Sequence, residues 1–403
     1  MGDFHQTGLI STLHYLKRRK IEEIEAELAN FAQRRPIALI LPSLYMELQG
    51  NALPNILKQL KNIPYINEII VSLDKADKDG FLHAKRFFST IPQNLKIIWN
   101  DGERIQELFH ILEENELLIG LPGKGRAAWI ALGYIIASNS SRVVALHDCD
   151  IITYDRHLLS RLCYPIADYS LGYEFAKGYY PRISDRLYGR VTRLFVTPLV
   201  KSLISILGYI PFLVYLDSFR YPLAGEFSMT ADLARVIRIP SDWGLEIGVL
   251  AEIYRNCTIK RICQVDISQN YDHKHRPLSA KNPERGLLKM SIDIATSIFT
   301  TLGREGVVLT DSLFKTLLTK YLRIAQDTIK QYNDDAAING LFFDRHAEGV
   351  AIEAFIRGIK IASERYYQDP LGQPLIPNWS RVTAAIPNFL DMLFEAVELD
   401  NKD

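Results

Sequence analysis

A chain of 403 residues, 48% apolar and 23% charged, has the composition of an ordinary soluble globular protein, long enough for one large domain or two modest ones. Its 47 basic and 47 acidic residues cancel to a formal charge of zero, so nothing global favours nucleic acid, and any anion recognition must come from local clusters. The four cysteines (Cys149, Cys163, Cys257, Cys263) lack metal-site spacing and are too few for a disulfide framework, which suits reduced thiols in the cytoplasm.

No signal peptide is expected ahead of the first pattern, a helix expected over 5–30 whose basic run 17–20 and following glutamates read as a solvated face. Residues 37–41 (IALIL) are a continuous apolar run, as in a strand buried on both faces of a parallel sheet. A helix over 55–61, a strand over 68–73 and a strand over 95–99 follow. Gly123-Lys124-Gly125 opens a helix reaching Ala137, and 143–146 (VVAL) is the fourth strand of this series. This alternation predicts a Rossmann-like, mostly parallel sheet flanked by helices. Beyond Asp150 the rhythm changes, with short strands expected at 169–175 and 263–267 and a mostly helical chain from about 287 onward. The apolar run 203–216 is too short to span a bilayer, so no transmembrane segment is expected. It reads first as a buried helix, then as a subunit interface, then as a shallow membrane contact. The segments expected are 1–35, 36–150 for a nucleotide-sugar-binding part, 151–285 for an acceptor-binding part, and 286–403.

The strand 143–146 runs into His147-Asp148-Cys149-Asp150, which places two carboxylates one residue apart at the carboxyl edge of the sheet, where open α/β folds bind ligands. Two such oxygen donors can hold Mg²⁺ or Mn²⁺, and the ion can hold a diphosphate; the same spacing also caps helices and turns. Polar groups after the first two strands, in 42–47 and 72–74, can receive a nucleoside or simply close turns. Lys124 stands among glycines at a helix start, a site for phosphate or a plain turn. Gly189, Arg190 and Thr192 combine a backbone N–H, a guanidinium and a hydroxyl in a locally basic stretch suited to a small anion. Glu226 and Glu246 lie beside glycines, as sugar-hydroxyl acceptors would, and His273 and His275 occupy a polar turn where an imidazole could complete a metal site.

In chain order, PSLYME (42–47), GKGRAAW (123–129), HDCD (147–150), YGRVT (188–192), PLAGE (222–226), WGLEIG (243–248) and YDHKHRPL (271–278) resemble the glucosyl-3-phosphoglycerate synthases, retaining glycosyltransferases of the GT-A fold. The opening 3–14 is similar to their N-termini. The resemblance implies transfer of glucose from UDP-glucose or GDP-glucose to the 2-hydroxyl of D-3-phosphoglycerate, the precursor step of the compatible solute glucosylglycerate. It implies Asp150 and His273 as ligands of Mg²⁺ or Mn²⁺, with Asp148 nearer the ribose. Pro42, Leu44, Glu47, Ser72 and Lys124 match donor contacts, and Gly189, Arg190 and Thr192 match the acceptor loop. Leu223, Ala224, Gly225, Glu246 and His275 match the sugar pocket, with Glu246 and Asp150 the residues nearest the chemistry. Two departures, in 42–47 and 71–77, fall at the nucleotide end and leave the base open, and the apolar 203–216 is longer than typical. A homodimer is expected, since that run and the C-terminal helices need partners. Rival readings are a related retaining transferase using GDP-mannose or glycerate, a nucleotidyltransferase, and a non-catalytic nucleotide-sugar sensor.

Overall fold

The computed structural model describes residues 6, 8–241, 244–272, 278–279 and 282–402. Strands β1 (Ser11–Leu13), β2 (Ile37–Leu44), β3 (Ile66–Asp74), β4 (Asn94–Trp99), β5 (Val143–Leu146), β6 (Phe175–Tyr179), β7 (Phe227–Thr230) and β8 (Ile262–Asp266) form one sheet in the order β1-β8-β6-β7-β5-β2-β3-β4. Only β7 pairs antiparallel with its neighbours, β5 and β6; the remaining pairings are parallel. The apolar run of β2 shows why it is central. Ile37, Leu39 and Leu41 face one core while Ala38 and Ile40 face another, so both sides of the strand are buried.

Alternate residues thus commit the sheet to two layers of cover. One core sits under helices Ile21–Ala32, Ala52–Leu60, Lys78–Phe88 and Arg156–Ala167. The other takes helices Glu103–Glu114, Lys124–Ser138 and Leu245–Asn256 and continues into the C-terminal helices Gly286–Arg304, Asp311–Ile338, Arg345–Gln368 and Phe389–Lys402. A pair of indoles joins these parts. Trp129 and Trp379 stack with centroids 4.2 Å apart at 16°, and each indole N–H donates across the junction, Trp129 to the Pro377 carbonyl (2.7 Å) and Trp379 to the Trp129 carbonyl (3.2 Å). At the β4 edge, the Asn401 side chain accepts from the Ile97 N–H (2.9 Å) and donates to its carbonyl (2.8 Å). A final helix therefore covers a strand edge that would otherwise be open to pairing.

Two expectations need correction, and a third is refined. The helix expected over 5–30 begins only at Ile21, and Ser11–Leu13 is instead an edge strand on β8. Its fixing contact is long-range, the Gln264 side-chain amide donating to Thr12 Oγ1 (2.8 Å), which no local periodicity reports. Tyr169–Leu171 is a 3₁₀ turn in which the Asp168 carboxylate accepts from the Ser170 N–H (2.9 Å), so strand β6 starts at Phe175 rather than at 169. The apolar run 203–216 is divided between helices Thr197–Leu207 and Pro211–Asp217, with Leu203, Phe212, Leu213, Tyr215 and Leu216 buried. It is core, as its first reading held, and it finds its partners within the chain. No helix among the described residues is long and apolar enough to cross a membrane.

Candidate active site

The carboxyl ends of the parallel strands open onto a cavity of about 780 Å³. Strand β2 ends at it with Pro42 and Leu44, and the 3₁₀ turn that follows adds Glu47, whose carboxylate accepts from the Leu44 N–H (3.0 Å). Strand β5 is followed by Asp148 and Asp150, both on the wall. Because β7 is reversed, its amino end reaches this same edge and brings Leu223 and Gly225. One antiparallel strand thus explains why PLAGE shares a site with HDCD.

Lys124, the first residue of its helix, lies 2.5 Å from Asp148 Oδ1 and 3.5 Å from Glu246 Oε1. Burial works against its ammonium, but Asp148, Glu246 and Glu226 outweigh that and hold its pKa above the ordinary lysine value. Gly225 permits this pairing: a Cβ there would stand 2.6 Å from Asp148 Oδ2 and 2.8 Å from Lys124 Nζ. Behind the pair, Glu226 is fully buried and accepts from Tyr180 Oη (2.7 Å) and Tyr271 Oη (2.5 Å), whose rings stack 3.6 Å apart. Burial, then the charge of Asp148, push the Glu226 pKa up to about 7, although both tyrosine hydrogen bonds and Lys124 pull it down. Lys177 on β6 is likewise buried, with no hydrogen-bond partner for Nζ among the described residues. Burial lowers its pKa to about 8 despite the attraction of Glu246 and Glu226.

The same cavity is lined by Gly189, Arg190 and Thr192. Gly189 has φ +72°, a left-handed turn that glycine adopts without strain, and the chain then enters a helix whose first turns include the π-helical stretch Thr192–Val196. Amide groups at such a helix start suit an anion. The Thr192 hydroxyl is buried and has no hydrogen-bond partner among the described residues, and the residue lines the cavity. Arg190 is paired with Glu348 from the C-terminal region, Nη2 to Oε1 being 2.9 Å.

The structure therefore gathers Pro42, Leu44, Glu47, Lys124, Asp148, Asp150, Gly189, Arg190, Thr192, Leu223, Gly225 and Glu246 around one space. Two expected residues do not line it. Ser72 is fully buried and accepts from the Asn100 side chain (2.9 Å), which also donates to Asp74 Oδ1 (2.9 Å). Two residues further along the same strand, Asp74 reaches the wall instead, its carboxyl raised to about 6 chiefly by burial. Ala224 is fully buried in the core beneath its neighbours, because a side chain between two wall residues points inward. His273 and His275 lie outside the described residues. Glu348 was not singled out from the sequence, and Lys177 was read only as part of the basic neighbourhood around Arg190. Lys177 had a visible signal, one charge in the middle of the apolar strand FAKGY; Glu348 had none near it.

No protein-family model matches the chain. A glucosyl-3-phosphoglycerate synthase of Persephonella marina is 48% identical over 403 residues, spanning 100% of both chains. Another of that name from Methanococcoides burtonii is 39% identical over 410 residues, covering 100% of this chain and 98% of its own. Among solved structures, glucosyl-3-phosphoglycerate synthase from Mycobacterium tuberculosis in complex with Mn²⁺, UDP-glucose and phosphoglyceric acid aligns with a TM-score of 0.53 and 23% identity, covering 75% of this chain and 89% of that one. Mannosyl-3-phosphoglycerate synthase from Rubrobacter xylanophilus aligns with a TM-score of 0.55 and 20% identity over 75% and 83% of the two chains. At these identities the structural likeness establishes the fold, which is the glycosyltransferase sheet expected from the motifs.

Proposed function

The chain belongs to the glucosyl-3-phosphoglycerate synthase family, and from that premise we propose that it transfers glucose from a nucleoside-diphosphate glucose to the 2-hydroxyl of D-3-phosphoglycerate with retention at the anomeric carbon. UDP-glucose is the favoured donor, since the Mycobacterium tuberculosis enzyme is solved with it. The observation that carries the reading is a single cavity lined both by the Lys124–Asp148 pair and by Arg190 and Thr192. That is one space with separate groups for a diphosphate and for a small phosphorylated acid.

The donor end fits a divalent cation. Asp148 and Asp150 are hard oxygen donors on the wall, suited to Mg²⁺ or Mn²⁺. Among the described residues no group of three His, Cys, Asp or Glu side chains is placed to hold an ion, so diphosphate oxygens, water and His273 would complete the shell. Asp150 would be the protein's direct ligand, with Asp148 shared between Lys124 and the ion's surroundings. When bound, the ion neutralises charge gathering on the leaving diphosphate.

The chain's own groups then have distinct tasks. Lys124 stabilises the departing phosphate oxygens, a favourable interaction that grows as the C1–O bond breaks. Glu246, already 3.5 Å from that ammonium, orients the glucosyl ring through its hydroxyls rather than attacking it. Arg190, Thr192 and the Gly189 turn hold the acceptor's anionic groups and so aim its 2-hydroxyl at C1. The new C1–O bond forms on the face from which the diphosphate leaves, and a departing phosphate oxygen takes the hydroxyl proton.

A product-mass screen of UDP-, GDP- and ADP-glucose and GDP-mannose against 3-phosphoglycerate and glycerate tests this directly. Glucosyl-3-phosphoglycerate should accumulate, with UDP-glucose the best donor and an α-linkage by NMR. A mannosylated product, an inverted anomer or binding without turnover in Mn²⁺ would each displace the reading. Chelation should abolish transfer, and Asp150→Ala should lose the response to added Mn²⁺ or Mg²⁺; full metal-dependent activity in that variant would move the site elsewhere.

A further inference from the structure

The arginine at the acceptor end is not free-standing. Arg190 donates Nε (3.0 Å) and Nη2 (2.9 Å) to Oε1 of Glu348, and Arg193 Nη1 lies 3.3 Å from the other oxygen, Oε2. Glu348 is 5% exposed and sits in the first turn of helix Arg345–Gln368. That helix start is well fixed. The Asp344 carboxylate caps it by accepting from the Ala347 N–H (2.9 Å), and the Phe342 N–H donates to the Asp185 carbonyl (2.9 Å). The Arg186 guanidinium also lies over the Phe342 ring at 5.0 Å. The C-terminal region thus grips the loop that carries Gly189 and Arg190 at two points.

A guanidinium has five N–H donors in a rigid fork. Glu348 engages the Nε–Nη2 side, while Nη1 has no partner among the described residues and Arg190 lines the cavity. Arg193 is employed differently. Its Nε donates to the Tyr188 carbonyl (2.8 Å) and its Nη2 to the Leu187 carbonyl (3.1 Å), with the Tyr332 ring 4.8 Å away. One buried carboxylate therefore ties the arginine that braces the loop to the arginine that faces the ligand.

We propose that Glu348 is a positioning residue for the acceptor subsite: it fixes one edge of Arg190 so that the remaining N–H groups are presented to the phosphate or carboxylate of the incoming acid. The proposal rests on the reading of Arg190 as an acceptor contact. Bare charge counting leads the other way. Removing a carboxylate from beside an anion subsite makes that subsite more positive and should tighten binding, whereas losing the orientation of Arg190 should weaken it. The sign of the effect decides between them.

The experiment measures steady-state kinetics with 3-phosphoglycerate varied at saturating sugar nucleotide for the wild type, Arg190→Ala, Glu348→Gln and the double variant, with melting temperature and donor KM alongside. Glu348→Gln should raise the acceptor KM about tenfold, as loss of a group orienting a ligand-binding side chain does. Its kcat and donor KM should stay within about twofold. The double variant should be no worse than Arg190→Ala alone, because Glu348 acts through Arg190; a multiplicative loss would mark a general structural role and overturn the proposal. An acceptor KM that is unchanged or lower in Glu348→Gln, with a raised one in Arg190→Ala, overturns the proposal and leaves the acceptor reading intact. An unchanged KM in Arg190→Ala overturns both. Should Glu348→Gln melt far below the wild type, Glu348→Asp keeps the charge and shortens the arm. A raised acceptor KM with near-native melting then supports positioning, and a wild-type KM overturns it.

Discussion

Lys124 lies between two carboxylates, and its role depends on both. Asp148 fixes its position and Glu246 adds to its charge stabilisation, so the ammonium stays protonated wherever the enzyme works. Lys124→Met should reduce kcat about 100-fold, the usual scale for losing one electrostatic stabiliser of the transition state. Initial rates at saturating substrates measure it, and a wild-type kcat would remove Lys124 from the leaving-group side. Glu226 allows a test that does not involve turnover. Its folded pKa of about 7 lies above the ordinary 4.5, so the folded protein keeps a proton that the unfolded chain has released. That contribution to stability is fully present below about pH 4.5 and is lost as pH rises through about 7. The melting temperature should therefore fall more steeply between about pH 5 and 7.5 in the wild type than in Glu226→Gln. Parallel curves would mean that the tyrosine pair keeps this carboxylate ionised throughout. At this scale local motifs pointed to residues that do line the cavity, as with Asp148, Asp150, Lys124 and Arg190. The sequence was silent about Glu348, which meets Arg190 across 158 positions, and it favoured Ser72 where the strand presents Asp74.

Elements with their own periodicity were legible. The apolar runs of β2, β3, β4 and β5 are strands near the expected limits, and the helix opening at the glycines around Lys124 begins there. Elements defined by a distant partner were not. Strand β1 has three residues and exists through its pairing with β8, while β7 has four and gave no run to recognise. Missing β7 also hid its reversed direction, the reason Gly225 and Asp148 meet. The Asn401 contact with β4 belongs to this scale as well. Asn401→Ala removes both side-chain hydrogen bonds to Ile97 and should cost about 1–3 kcal/mol in denaturant unfolding. A change below about 0.5 kcal/mol would show that water replaces them without loss.

Across the molecule, the C-terminal helices are part of both the core and the site. Leu288, Ile292 and Phe299 share a core with Trp129 and strand β5, and Leu287, Met290 and Phe343 line the cavity. Their helical character could be read in advance; which surface they cover could not, because an amphipathic face does not name its partner. Much of their apolar surface and that of the run 203–216 packs within the chain, while Tyr209, Ile338 and Phe394 stay exposed. A chain ended after residue 285 should fail to fold, with collapsed far-UV circular dichroism and aggregation on sedimentation. A soluble, folded product that still transfers glucose would show this half to be an accessory.

The stacked indoles have a consequence outside catalysis. The chain has four tryptophans (Trp99, Trp129, Trp243 and Trp379), and two of them form the face-to-face pair joining the helix that starts at Lys124 to the C-terminal segment. Rings so close exchange excitation energy and are shielded from water, so their ultraviolet emission depends on staying together. With Trp99 and Trp243 replaced by phenylalanine, fluorescence would report from this junction alone. Parting of the two halves could then be followed in real time, in substrate or denaturant, without added dye.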